Sequence, residues 1–195
     1  TAIRGAFFDI ARVCDSADAI ARHARYLEDG LLFIQNGKIL AQMPWQEGEQ
    51  YLDPHKGYTD LRGRLLLPGF VDTHVHYPQT EMIGAFGEQL LEWLTTYTFP
   101  VESQFADAEY AQEIAQFFVN QLISHGTTTA LVFCTLHPAS AEALFSEALR
   151  LNMRLIAGKV MMDRHVPDYL CETAGESYEQ TRELILRWHQ RGRLG

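Results

Sequence analysis

The sequence is poor in cysteine, and its few cysteines are not paired. Cys14, Cys134 and Cys171 lie far apart and form no Cys-x-x-Cys motif. This spacing argues against both a disulfide framework and a cysteine-rich zinc site. We therefore expect a reducing, cytoplasmic setting, with each cysteine serving as a small packed or surface residue.

Long apolar runs and an excess of basic residues are also missing. No run approaches the roughly 20 apolar residues that cross a bilayer, and the N-terminal residues TAIRGAFFDIARV lack the basic start and apolar block of a secretory signal. The 16 Lys and Arg residues are outnumbered by 25 Asp and Glu residues, which gives a net charge of −9. Nucleic acids and anionic membranes bind basic surfaces, so we expect neither as a partner.

The N-terminal part of the sequence is typical of short strands and turns. Apolar residues flank Asn36-Gly37, a dipeptide that favours a two-residue hairpin turn. Residues 46–60 are rich in Gly, Gln, Pro and Asp and predict a surface loop. We assign residues 1–66 to a small β-rich subdomain, the N-terminal portion of a sandwich, which is too small to bury much surface alone.

From residue 67 onward, predicted strands alternate with predicted helices. Short β-branched runs predict strands, and longer runs with apolar residues at helical spacing predict helices. The elements are a strand in LLLPGFVDTHVH, a helix from Asp107 to Gly126, a strand at Thr127–Phe133, a helix beginning at Pro138, a strand from Met153 to Met162, and a helix with Tyr178, Thr181, Leu184, Ile185 and Trp188 on one face. This alternation predicts an α/β fold with parallel strands covered on both faces. The pattern alone fits either a doubly wound open sheet or a (β/α)₈ barrel. A complete barrel takes roughly 250 residues, so residues 67–195 would supply about three βα units before the chain stops.

Two histidines stand at the end of the first predicted strand. Because side chains alternate across a strand, His74 and His76 are predicted to point to the same side. Ligands bind at the carboxyl ends of strands in barrels and open α/β sheets alike. Neutral imidazole is a good zinc ligand, and two strand residues rise only about 6.6 Å, so both rings can reach one ion. Asp72 lies deeper along the strand and is predicted to be structural.

The residues around this pair resemble those of a known family. LPGFVDTHVH, residues 67–76, is similar to the PGxxDxHxH signature of the metal-dependent hydrolases of the amidohydrolase superfamily. HYPQTEM, LLEWLTTYTFP, GTTTALVF and GKVMMDR together resemble the guanine deaminase branch, and the resemblance covers most of the chain from Leu65 onward. It implies that residues 67–195 are the first part of a TIM-type (β/α)₈ barrel. It also implies a zinc enzyme that converts guanine to xanthine and ammonia.

The resemblance assigns roles to residues at the strand end. His74 and His76 would be two ligands of one Zn²⁺ per subunit. The purine would meet residues of the strand-end loop and of a nearby helix, namely His76, Tyr77, Pro78, Gln79 and Trp93. The Gln79 amide both donates and accepts hydrogen bonds, as guanine does. The other ligands and a proton-shuttling glutamate would lie beyond Gly195, so no catalytic residue is assigned within the chain. The resemblance further implies a homodimer.

Other polar residues receive structural interpretations. Glu81, Glu88 and Glu92 precede the region where the proton shuttle would fall, so we interpret them as solvated or capping residues. Lys159 is predicted to be a structural residue in the middle of a strand. No functional role is assigned to the remaining histidines, which are His23, His55, His125, His137, His165 and His189.

Two alternative functions remain open at the level of the sequence. One keeps the fold and changes the substrate to another heterocycle, such as cytosine or a triazine, for an aminohydrolase or chlorohydrolase. The other is a non-catalytic scaffold relative that has lost metal ligands. The retained His74 and His76 argue against the scaffold, whereas only a panel of substrates separates the heterocycles.

Overall fold

The computed structural model describes residues 1–87 and 89–195. Glu88, one of the three glutamates interpreted above, lies outside the described residues. The chain divides into two compact units, Thr1–Pro68 and Gly69–Gly195. The first unit contains the strands β1 (Ala2–Ile10), β2 (Ala24–Gln35), β3 (Lys38–Pro44) and β4 (Thr59–Leu66) and the helices α1 (Ala17–His23) and α2 (Trp45–Gly48).

The first unit is built on one four-stranded sheet with the order β3-β2-β1-β4. β2 is antiparallel to both β1 and β3, whereas β4 runs parallel to β1. The β2–β3 hairpin turns at Asn36 and Gly37, with φ values of 51° and 72°, and Gln35 pairs with Lys38. Two adjacent residues with positive φ match the twist of the flanking strands, which confirms the predicted hairpin.

The predicted loop at residues 46–60 is more ordered than its composition suggested. It contains most of α2, a 3₁₀ turn at Glu49–Tyr51, and the first residues of β4. Trp45 anchors this segment, because its ring lies 5.2 Å from the ring of Tyr58 and beneath the guanidinium of Arg4, 3.6 Å from the ring centroid. Aromatic burial and a cation–π contact thus stabilise a stretch that is otherwise polar.

The second unit is a βα repeat around a parallel sheet. Its strands β5 (Phe70–His76), β6 (Thr127–Phe133) and β7 (Arg154–Gly158) lie in the order β5-β6-β7, and both pairings are parallel. Its helices are α3 (Leu90–Trp93), α4 (Phe99–Ser103), α5 (Ala108–Ser124), α6 (Pro138–Arg150) and α7 (Ala174–Trp188). This alternation confirms the α/β fold with about three βα units.

The segment LLLPGFVDTHVH forms parts of two strands and not one, so that prediction is wrong in its first residues. Leu65 and Leu66 end β4 and pair with β1, whereas β5 begins at Phe70. Gly69 lies between them against β6. A Cβ added to Gly69 would lie 2.1 Å from the Thr128 Oγ1 atom, so glycine permits this close approach of its backbone to the Thr128 side chain.

Capping interactions explain why the predicted helices begin and end where they do. The Asp107 side chain accepts hydrogen bonds from the N–H groups of Glu109 and Tyr110 at the start of α5. Gly126, with φ of 87°, follows the end of that helix. Thr173 and Glu176 form a capping box at the start of α7.

The third βα unit differs from its prediction in two respects. β7 ends at Gly158, so Lys159 lies just past the strand and not in its middle. On α7 the buried residues are Ser177, Leu184 and Trp188, whereas the predicted core residues Tyr178 and Ile185 are 63% and 56% exposed. The buried stripe is rotated because Trp188 stacks on Phe145 of α6, with ring centroids 5.7 Å apart.

The core of the second unit lies between the sheet and helices α5, α6 and α7. Leu144, Phe105, Leu155 and Val119 are among its fully buried side chains. Close packing on one side of the sheet fixes β6 and β7, which in turn position the carboxyl end of β5. No helix in the described part of the chain has the length and apolar character needed to cross a membrane.

Candidate functional site

The two histidines of the HVH motif converge at the carboxyl end of β5. Their Nε2 atoms lie 3.3 Å apart, and their ring centroids are separated by 5.2 Å. The pairing with β6 shifts between Asp72 and Val75, where β5 carries one more residue than its partner. Bulges of this kind re-aim side chains near active sites. The predicted placement of both rings on one side is therefore confirmed, with a local distortion that the sequence did not indicate.

Asp72 supports this distorted stretch of backbone. Its Oδ1 atom accepts a hydrogen bond of 3.0 Å from the backbone N–H of His74. Aspartate commonly satisfies the N–H two residues on, which compensates for a lost ladder bond. The structural role predicted for Asp72 follows from this bond, and the spacing Asp-x-His was the sequence signal for it.

Phe133, the last residue of β6, holds the histidine rings in place. Its ring stacks on His76 at 4.7 Å and 14°, and it lies 5.0 Å from His74 at 44°. Burial lowers the pKa of His76, and a positive charge on His74 would lower that pKa further. Both effects favour the neutral imidazole, the form in which histidine binds metals.

The histidine pair fits a tetrahedral zinc ion in donor type and in spacing. Two nitrogens that each lie about 2.0–2.1 Å from a tetrahedral ion are separated by about 3.3–3.4 Å. The observed 3.3 Å between the Nε2 atoms has this value. The same separation also suits an N–H···N hydrogen bond in one tautomer of the pair. Within the described residues, no group of three or more His, Cys, Asp or Glu side chains is arranged to hold a metal.

A cleft of about 640 Å³ opens beside the two histidines. Its walls come from the turn after β5, from α3 and from α5. The residues that line it include His74, His76, Gln79, Thr80, Ile83, Trp93, Phe118, Gln121 and His125. Two amides, three imidazoles and apolar walls make a surface suited to a flat, polar heterocycle.

The predicted purine contacts divide into two groups. Gln79 and Trp93 line the cleft, and the Trp93 indole donates a 3.2 Å hydrogen bond to the carbonyl of Ala85. Tyr77 and Pro78 are buried instead. The Tyr77 hydroxyl donates a 2.8 Å hydrogen bond to the Ser140 carbonyl, and burial raises its pKa. Tyr77 and Pro78 therefore support the wall from behind. His76, the fifth predicted contact, also lines the cleft, and the contacts of all five residues with a purine stay predictions.

Gln79 lies in a 3₁₀ turn, Tyr77–Met82, that is tied to the helices around it. Tyr77 bonds to α6 as described, and the Thr80 hydroxyl donates a 2.6 Å hydrogen bond to the Tyr77 carbonyl. At the other end, the Tyr110 hydroxyl of α5 donates to a Glu81 carboxylate oxygen. The interpretation of Glu81 as a solvated or capping residue misses this bond, because sequence alone gives no sign of a partner 29 residues away.

Lys159 belongs to a buried polar network away from the cleft. Its side chain is fully buried, and its ammonium lies 2.6 and 2.8 Å from the two carboxylate oxygens of Glu172. It also donates 3.3 Å to the Ser177 hydroxyl and 3.2 Å to the Val160 carbonyl. The structural role predicted for Lys159 thus agrees with a pair that fastens the connection between β7 and α7.

The remaining histidines have structural surroundings. The Nδ1 atom of His125 lies 2.8 Å from the Gln121 carbonyl at the end of α5 and therefore carries the proton that it donates. His137 precedes α6, and its backbone N–H donates to the Thr135 hydroxyl. His23 accepts a 2.9 Å hydrogen bond from Arg12. His55, His165 and His189 are exposed.

Sequence reasoning missed Glu102 of α4, a buried acid that, unlike the buried Glu147, has no arginine beside it in the part of the chain that the structure describes. The residue is 5% exposed, and among the described residues its Oε2 atom has no hydrogen-bond partner. Burial raises the pKa of Glu102 to about 7. Thr98, one helical turn earlier, also buries an oxygen that finds no partner in the described chain. The apolar residues Phe99, Pro100 and Val101 beside Glu102 were the available signal.

Known proteins resemble this chain over almost its whole length. It is 55% identical over 193 residues to the guanine deaminase of Escherichia coli, covering 99% of this chain and 44% of that protein. The solved structure of the E. coli guanine deaminase superposes with a TM-score of 0.95. A guanine deaminase of C. acetobutylicum, solved with guanine bound in the active site, matches 99% of the chain at 28% identity and a TM-score of 0.82.

The fold extends to more distant proteins. An atrazine chlorohydrolase of Arthrobacter aurescens, complexed with zinc, covers 97% of the chain at 19% identity and a TM-score of 0.72, which shows the fold alone. This chain spans less than half the length of the relatives named here. The amidohydrolase family matches residues 65–193, which include the βα units and both histidines. The chain therefore belongs to the amidohydrolase family.

Proposed function

We propose that this chain supplies the first part of the active site of a zinc-dependent guanine deaminase. The observation that carries the proposal is the convergence of His74 and His76 to 3.3 Å at the edge of a cleft that Gln79 also lines. A relative that is 55% identical is named guanine deaminase, and another binds guanine in its active site. Because those proteins are more than twice as long, the activity is proposed for the polypeptide at their full length.

The proposed reaction replaces the exocyclic amine of guanine with oxygen from water, giving xanthine and ammonia. Zinc, when bound, lowers the pKa of water to about 7 and thereby makes water a nucleophile at neutral pH. His74 and His76 would hold the ion, and Phe133 keeps their rings oriented. The remaining ligands and the proton-transferring glutamate are expected on later strands of the barrel.

Gln79 and Trp93 would select and orient the base. The Gln79 amide can donate and accept at once, which matches an edge of guanine that presents both kinds of group. A purine lacking those groups would leave the amide unpaired in a partly buried site and bind less well. The Trp93 ring offers an apolar surface at the wall of the cleft for the face of the base.

Further proposals rest on the family resemblance. They are a homodimer, one zinc ion per subunit, a cytoplasmic location, and a boundary at residues 66 and 67 between a sandwich subdomain and the barrel.

The direct test is an assay of the enzyme at the length of its relatives, with zinc and guanine, for xanthine and ammonia. His74→Ala and His76→Ala should each lose zinc and turnover. Gln79→Ala should keep zinc and use guanine at least tenfold less well, because a lost hydrogen bond to a polar substrate group costs about 1–2 kcal/mol or more. His55→Ala is the matched control, because it removes an exposed histidine that does not line the cleft. It should change neither zinc content nor turnover.

The same assay can refute the proposal. Absence of xanthine from a zinc-loaded enzyme, with turnover of another heterocycle in a panel, would move the assignment to a different substrate. Full zinc occupancy in His74→Ala or His76→Ala would remove the ligand roles. An enzyme that binds zinc and turns over no heterocycle would favour the scaffold class.

A further inference from the structure

We infer that Tyr110 and Glu81 are positioning residues for Gln79, through the hydrogen bond that joins them. This inference rests on the proposed function and deepens it by naming what sets the specificity of the cleft. Of the two amides in the cleft wall, Gln121 lies in the long helix α5, whereas Gln79 lies in a short 3₁₀ turn. Its precision as a recognition group must therefore come from the points at which that turn is fastened.

The two fastening points lie symmetrically around Gln79. Two residues before it, the buried Tyr77 bonds to the Ser140 carbonyl of α6. Two residues after it, Glu81 accepts a hydrogen bond from the Tyr110 hydroxyl of α5. The first bond is fully buried, whereas the second is at the surface, where Glu81 would otherwise be solvated. The second bond can thus be removed without unfolding the core, and its loss would loosen the turn at Glu81, between Gln79 and the buried Met82.

A chain of aromatic contacts makes Tyr110 a rigid support. Its ring meets Phe105 edge to face at 5.0 Å and 79°. Phe105 is fully buried and meets Tyr77 at 5.1 Å and 90°. The contacts Tyr77–Phe105–Tyr110 and the bond Tyr110–Glu81 therefore close a ring of interactions around the turn that carries Gln79. Neither Tyr110 nor Glu81 lines the cleft itself, so both act on a substrate only through that turn.

The central experiment compares Tyr110→Phe with the parent enzyme at the length of its relatives. This change removes one hydroxyl and keeps the ring on Phe105. The KM for guanine should rise about fivefold, since one hydrogen bond of about 1 kcal/mol corresponds to that factor. Zinc content and kcat should stay within about twofold, because the metal ligands are held by β5 and Phe133.

Three companion variants separate positioning from mere stability. Glu81→Ala should repeat the rise in KM, whereas Glu81→Gln keeps an acceptor oxygen and should restore most of the parent KM. In a Gln79→Ala background, Tyr110→Phe should raise KM no further, because the residue through which it acts is gone.

Three experimental outcomes would overturn the inference. A lower Tm with an unchanged KM in Tyr110→Phe would show a structural role only and overturn the inference. An additional rise in KM in the Gln79→Ala background would also overturn it, because Tyr110 would then act by another route. No turnover of guanine by the parent enzyme would overturn the proposed function and this inference together.

Discussion

At the scale of single residues, Glu102 is a side chain whose charge depends strongly on its surroundings. Its carboxyl is buried in α4 beside apolar neighbours, and burial raises its pKa to about 7. An unfolded chain would expose the same group to water, where glutamate ionises near pH 4.3. The folded state therefore retains a proton over a range of pH in which the unfolded state has lost it.

The free energy of unfolding should consequently fall as pH rises from about 4.5 to about 7. In that window the folded state binds one proton more than the unfolded state, so the slope of stability with pH is negative. The total loss from this residue is at most about 4 kcal/mol. Chemical denaturation at pH 5, 6, 7 and 8 measures this loss of unfolding free energy. In Glu102→Gln the free energy of unfolding should change less between these pH values.

Glu92→Gln, an exposed change on the same helical segment, is the control for that experiment. A profile for Glu102→Gln that matches the parent at every pH would show that Glu102 ionises in the folded protein as it does in water.

Sequence reasoning found the residues that follow from alternation and missed those that depend on distant partners. His74 and His76 could be placed on one side of a strand because side chains alternate with period two. Tyr110 could not be found, since its surroundings are set by the packing of the helices around it, and only the apolar neighbours of Glu102 gave a signal of its burial. The bulge in β5 left only the indirect signal of an aspartate two residues before a histidine.

At the scale of elements, the approach of β5 to β6 depends on Gly69. The space that a side chain would need is already filled by the Oγ1 and Cγ2 atoms of Thr128. Because β5 carries both histidines, any displacement of its first residues would be transmitted along a short strand. Local packing at the start of β5 is thus coupled to the site at its end.

Gly69→Ala should therefore destabilise the protein by about 1–3 kcal/mol, the usual cost of forcing an extra methyl into a filled space. In a double-mutant cycle, Thr128→Gly should recover part of this cost. The double variant should then lose less unfolding free energy than the two single variants lose together. Thermal and denaturant unfolding both report the difference. Gly175→Ala, where the nearest atom would be 4.0 Å away, should be neutral or stabilising.

The elements that could be predicted best carry their boundaries in local sequence. α5 and α6 begin and end near Asp107, Gly126 and Pro138, whose capping chemistry is readable without a fold. β7 was predicted too long, because the apolar residues after Gly158 belong to the loop that holds the buried Lys159. Apolar residues outside regular structure look the same in sequence as strand residues.

At the scale of the whole molecule, the described residues bring together two imidazoles that could bind a metal, without a third potential ligand beside them. His74 and His76 converge, but no cluster of three potential ligands exists among residues 1–87 and 89–195. Structural and catalytic zinc sites use three or four protein ligands. The parallel order β5-β6-β7 could be predicted from alternation, whereas the residues that would complete the proposed metal site could not.

The 195-residue chain expressed by itself should consequently bind zinc weakly and produce no detectable xanthine from guanine. Competition with a chromogenic chelator measures the affinity, and the polypeptide at the length of the relatives is the positive control. Tight zinc binding and turnover by the chain alone would mean that its own residues complete the site.

The burial of Lys159 has a practical consequence. The lysines of the chain are Lys38, Lys56 and Lys159, and the first two are exposed. An amine-acylating reagent should mark Lys38 and Lys56 at once and reach Lys159 only when the loop beneath α7 detaches from Glu172. Mass-spectrometric footprinting at Lys159 would thus measure how fast the connection between β7 and α7 opens. The chain would need no engineered labelling site for this measurement.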